Sequence, residues 1–255
     1  MDWNVFLEQA PSGGKTYLGW LASGLFWTVA VSVCAWAIAS VVGCVVGVAR
    51  TTPLAWARWL GTVYVEFFRN IPLLVQMFLW YFVMPEVIPA AWGDWLKQDM
   101  PYLLTLPFAA QFSLWEFTAA VLCLGLYTAS RVAEQVRSGI ESLPEGQTNA
   151  GLAMGLTLPQ VYRYVRLPMA FRIVIPPMTS ELLTIFKNSS TALTIGVLEL
   201  TAQSRQISEY TFKTFEAFTA ATLIYIAVTM TVILAMRALE VRVAVPGFIS
   251  RSSGH

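Results

Sequence analysis

Residues 16–49 read TYLGWLASGLFWTVAVSVCAWAIASVVGCVVGVA, a run without a single charge. About 20 apolar residues are enough to cross a bilayer as a helix, so a membrane span is expected here, at Leu18–Val48. Composition agrees: 56% of the chain is apolar and 12% charged, against about 45–50% and about 25% in soluble domains. A net charge of +1 gives no case for nucleic-acid binding. Cys34, Cys44 and Cys123 fall in apolar runs and read as small buried residues, with neither a disulfide nor a metal pattern.

Four further spans follow by the same count, at 60–87, 115–135, 184–202 and 217–239. The second is apolar mainly after Asn70. Residues 101–113 are apolar but short and carry two prolines, so they read as a re-entrant or interfacial piece. Five spans put the termini on opposite sides, and basic residues favour the cytoplasm. With the N-terminus outside, the inner segments hold Arg50, Arg58, Arg69, Arg131, Arg137, Arg163, Arg166, Arg172, Lys187, Arg237, Arg242 and Arg251. The outer segments hold only Lys15, Lys97, Arg205 and Lys213. The expected organisation is an extracytoplasmic segment 1–17, a membrane domain 18–243 and a cytoplasmic tail 244–255. Trp20, Trp80, Trp92, Trp95 and Trp115 would then lie near the outer interface, and Trp56 and Trp59 near the inner one. The stretch Asp2–Ala10 lacks a basic n-region and a cleavage site, so a cleaved signal peptide is not expected. Ala39, Gly43 and Gly47 share one face of the first span, where small residues let a second helix approach. Packing within the chain or a contact with a partner would both use that face.

Between the third and fourth spans, Thr148–Pro168 reads TNAGLAMGLTLPQVYRYVRLP. It is polar and amphipathic, and broken by Gly and Pro. The loop around it, 143–168, begins with Pro144 at a helix start, where its missing N–H costs nothing. Glu145 in the first turn suits the helix dipole. Gly155 can stop a short helix in a left-handed conformation.

The spacing Asn149-Ala150-Gly151, three residues, Gly155, nine residues, Val165-x-Leu167-Pro168 resembles the cytoplasmic coupling loop of ABC importer permeases, Glu-Ala-Ala, x3, Gly, x9, Ile-x-Leu-Pro. Asn149, Gly151 and Val165 depart from that pattern, and Asn149 lacks its usual charge. Phe68–Gln76, FRNIPLLVQ, is similar to the second-span signature of permeases for polar amino acids, FRGTPLLVQ. Leu126–Gln147, Pro176-Pro177 and Lys187–Ser190 fit the same family, so the resemblance covers about Leu18 to Val243. The stretches GLTLPQVYRYV and PPMTSELL, with Arg131, resemble members that carry glutamate and aspartate.

The resemblance implies an all-α membrane protein of the type I ABC importer fold, with five transmembrane helices and cytoplasmic coupling helices, in the bacterial inner membrane. It implies a permease half that binds no cofactor and is not an enzyme. ATP and Mg would sit on partner ATPase subunits. The other implied partners are a second, homologous permease subunit, an extracytoplasmic amino-acid-binding protein and membrane lipid. Asn149, Ala150, Gly151, Gly155, Leu167 and Pro168 would contact the ATPase. Another polar amino acid (Gln, Asn, Arg or His) as cargo stays open.

Charges at membrane depth are costly and face a cavity or a partner. Arg69, Asn70 and Gln76 on the second span, Arg131 and Glu134 on the third, and Asn188 and Ser190 on the fourth are the candidate pathway residues. Arg131 and Glu134 lie three apart on one helical face and are expected either to pair or to leave Arg131 to clamp a substrate carboxylate. Gly14-Lys15-Thr16 mimics the end of a phosphate loop, but Gln9 stands where that loop needs Gly. An intramembrane enzyme lacks parts, because the only His is His255. A stand-alone secondary transporter or channel is disfavoured by the loop and by the lack of an internal repeat.

Overall fold

The computed structural model describes residues 1–11, 14–100 and 114–243, all of whose long elements are helices. In chain order the principal helices are α1 (Tyr17–Ala49), α2 (Ala55–Asn70), α3 (Leu73–Val87), α4 (Leu114–Glu141) and α5 (Glu145–Ala153). They continue with α6 (Leu158–Ile195), α7 (Leu200–Thr211) and α8 (Thr214–Val243). The expected re-entrant piece 101–113 and the tail 244–255 lie outside the described residues.

Thr16 caps α1, its hydroxyl accepting from the Gly19 N–H at 3.2 Å. The Gly14-Lys15-Thr16 triplet is thus used to start a helix. α1 then runs for 33 residues, about 50 Å at 1.5 Å per residue, and lies along α4. Their contact is close because both present small residues. A Cβ on Gly43 would stand 2.6 Å from the Val132 Cβ, and one on Gly47 would stand 2.7 Å from the Ala133 carbonyl. The Ala39–Gly43–Gly47 face is therefore an internal seam against α4, and a partner contact there is excluded. Cys34 departs from expectation in being exposed, since α1 turns it away from α4; Cys123 is buried and Cys44 intermediate.

The stretch expected as one span at 60–87 is two helices, α2 and α3, meeting at 104°. Proline has no N–H to continue a helix and pushes the preceding residue to an extended conformation. Ile71, before Pro72, has φ −97° and ψ 129°. Buried Gln76 fills the break, its amide nitrogen donating to the Phe68 carbonyl at 2.7 Å and the Ile71 carbonyl at 2.8 Å.

The expected span 184–202 is also displaced. The long apolar helical run is α6, Leu158–Ile195, with Pro176 and Pro177 inside it. It closes in a 3-10 turn, Ser189–Ile195, and Gly196 at φ 97° ends it. Residues 200–202 belong instead to α7. Lys187, counted among the inner segments above, lies within α6.

Two further contacts tie the ends of the bundle. Fully buried Glu199 caps α7, accepting from the Thr201 and Ala202 N–H groups and from the Tyr225 hydroxyl of α8 at 2.8 Å. At the N-terminus, Asp2 pairs with Lys213 while its own N–H donates to Glu216 at 2.8 Å. The Lys213 ammonium, with the Asn4 N–H, holds the Asp2 carboxyl below its usual range.

Candidate coupling segment and charged pathway

The segment 143–168 forms a compact knob. α5 begins after Pro144 with Glu145 in its first turn. Gly155 ends it at φ 87°. Around that turn the Gly155 N–H donates to the Leu152 carbonyl at 2.9 Å and the Leu156 N–H to the Gly151 carbonyl at 3.1 Å. This is the paired bonding that satisfies the last carbonyls of a helix. Thr157 then opens α6 with a capping box, its N–H donating to the Gln160 side chain at 2.7 Å. Gly151 is buried against Val161; a Cβ there would stand 2.9 Å from a Val161 methyl. The alanine of the family pattern would crowd that contact.

Asn149, Ala150, Leu152, Met154 and Tyr164 are all exposed on this knob. Leu167 is half-buried and Pro168 exposed where the regular helix of α6 begins. Two contacts bind the knob to the bundle. The Tyr162 hydroxyl donates to the Thr51 carbonyl in the α1–α2 turn at 2.6 Å. The Arg166 guanidinium donates to the Ile140 carbonyl of α4 at 3.1 Å and lies over the Tyr162 ring at 5.3 Å.

The candidate pathway residues fall into two charge groups. Arg131 does not pair with Glu134. Its Nε and Nη2 donate to Glu181 of α6 at 2.6 Å and 3.2 Å. Glu134 instead meets Arg50 and Arg137, with Arg69 at 3.9 Å. The i,i+3 expectation holds for Glu134 and Arg137 and fails for Arg131, because Glu134 turns toward Arg50 and Arg69. Asn70 donates to Glu66 at 2.9 Å. Gln76 spends its amide nitrogen on the α2–α3 break, while its Oε1 is buried without a hydrogen-bond partner among the described residues. The Ser190 hydroxyl donates to the Lys187 carbonyl and the Asn188 carbonyl accepts from Thr191, so both serve the end of α6. Sequence reasoning missed Glu181 and Glu199. Each is a carboxylate inside or next to a long apolar run, which was the available signal. Among the described residues no cluster of His, Cys, Asp or Glu could hold a metal.

Residues 39–245 match the family described as "Binding-protein-dependent transport system inner membrane component". The chain belongs to that family. It is 49% identical over 246 residues to the "Glutamate/aspartate import permease protein GltJ" of Escherichia coli K12, covering 96% of each chain. It is 31% identical to the "Glutamine transport system permease protein GlnP" of the same organism, covering 96% of this chain and 98% of that one. Among solved structures, one titled "Crystal structure of an amino acid ABC transporter with histidines" matches with TM-score 0.71 and 26% identity, over 89% of this chain and 95% of that one. The MetNI methionine transporter in an inward-facing form shares the fold, with TM-score 0.70 at 21% identity, over 89% and 97%. As a family member this chain is a multi-pass inner-membrane permease subunit of an ABC importer. It is not itself an enzyme, and ATP is hydrolysed on separate subunits.

Proposed function

We propose that this chain is one permease half of an ATP-driven importer of glutamate and aspartate. The carrying observation is the likeness to a glutamate/aspartate permease along nearly the whole length of both chains. In this reading ATPase subunits grip the exposed face around Asn149, Ala150, Gly155 and Pro168, and a secreted binding protein delivers the amino acid to the outer side. A second, homologous permease completes the pathway. Arg131, Glu134 and Arg69 are the pathway groups of this half, with the N-terminus outside and five crossings. Asn188 and Ser190 line it through their remaining polar atoms.

The deciding experiment is uptake into vesicles holding the full complex of permeases, ATPase and binding protein. Labelled glutamate and aspartate should accumulate only with internal ATP, and unlabelled glutamine should not compete. Accumulation of glutamine in preference to glutamate would assign the chain to another polar amino acid. Uptake without ATP or the ATPase would make it a stand-alone transporter.

A further inference from the structure

The Arg131–Glu181 pair is lopsided in a way that a plain inter-helix bridge is not. The Glu181 side chain is 5% exposed, whereas that of Arg131 is 40% exposed. A guanidinium carries five N–H donors and can take a carboxylate on either of two edges. Glu181 uses the edge formed by Nε and Nη2. Among the described residues no carboxylate is bonded to the edge formed by Nη1 and Nη2, and the Tyr127 hydroxyl one turn earlier lies within hydrogen-bonding reach of the guanidinium. Further along α4, Arg50, Arg69 and Arg137 face Glu134, and Arg137 also meets Glu141.

We infer that Arg131 receives the side-chain carboxylate of an acidic amino acid on its Nη1/Nη2 edge, and that Glu181 positions it by holding the other edge. This rests on the proposed importer function. Arg131 is then a specificity residue. Two parallel donors match the two acceptor oxygens of a carboxylate, whereas a glutamine amide offers one acceptor and turns its NH2 donors against the fork. Glu181 keeps the fork aimed without competing for it, because the two carboxylates occupy different edges. It also compensates a cation that would otherwise be costly at this depth.

The test uses the full complex in vesicles with saturating, glutamate-loaded binding protein, compared at equal amounts of assembled permease and ATPase. Arg131→Met should lower glutamate uptake about ten- to a hundredfold, the loss expected when one partner of a charge-assisted pair goes. Arg131→Lys keeps a charge facing Glu181 but has no second edge, and should lower uptake about tenfold. Glu181→Gln keeps one acceptor for Nε and should retain most uptake. Glu181→Leu should lose glutamate transported per ATP hydrolysed, a ratio that a merely structural pair would leave alone. The double variant Arg131→Met with Glu181→Gln leaves no orphan charge and should stay as low as Arg131→Met. Recovery of uptake in the double variant, or parental uptake by Arg131→Lys, would overturn the inference. Failure of the unaltered complex to carry glutamate or aspartate would instead overturn the importer reading beneath it.

Discussion

Gly155 is the position where one residue type decides whether the knob forms. Its φ of 87° is a conformation that side chains resist, while nothing lies within 4 Å of where a Cβ would stand. A substitution there therefore costs backbone strain and no clash. Gly155→Val should strain the turn by about 1 kcal/mol or more. Uptake and transport-linked ATP hydrolysis should fall while the subunit still reaches the membrane, as quantitative blotting alongside uptake would show. Normal uptake would remove the knob from the coupling path. This residue was legible in the sequence because a helix stop depends only on its immediate neighbours. The partner of Arg131 was not. Periodicity brings Glu134 onto the same face, but the real partner sits 50 residues away on α6. Nothing local distinguishes the two carboxylates.

Among the helices, α1 and α4 form the tightest contact. Their seam relies on Gly43 and Gly47, where each added Cβ would meet an atom of α4 under 3 Å away. Gly43→Leu should push the pair apart and cost about 1–3 kcal/mol, the range for overpacking. The readout is a lower midpoint of thermal unfolding in detergent, with an unchanged midpoint showing that the seam tolerates separation. α1 and α8 were readable because a long uncharged run alone marks each of them, whereas α4 carries Glu116, Arg131 and Glu134 within its expected limits. The α2–α3 break was hidden because counting apolar residues ignores direction, although Pro72 stood in plain view. The start of α6 was misjudged as well. The expected span began only at residue 184, yet a membrane helix can hold a proline pair such as Pro176 and Pro177 when its neighbours cover the freed carbonyls.

For the whole molecule, orientation is the property on which coupling depends. The basic residues cluster around the knob and the inner ends of the helices, which predicts the knob inside and the α3–α4 connection outside. With Cys34, Cys44 and Cys123 replaced by serine, a membrane-impermeant thiol reagent applied from outside should label Trp95→Cys and miss Gln147→Cys. The reverse pattern would exclude ATPase docking at the knob. The proline pair in α6 has a mechanical consequence. Leu167, at the edge of the knob, and Glu181, the holder of Arg131, are 14 residues apart on one helix, about 21 Å at 1.5 Å per residue. Pro176 and Pro177 interrupt the hydrogen-bond ladder between them. In the proposed importer α6 would act as a jointed pushrod: thrust from the knob would pass along its axis to the Glu181 end, and sideways motion would be taken up at the proline joint.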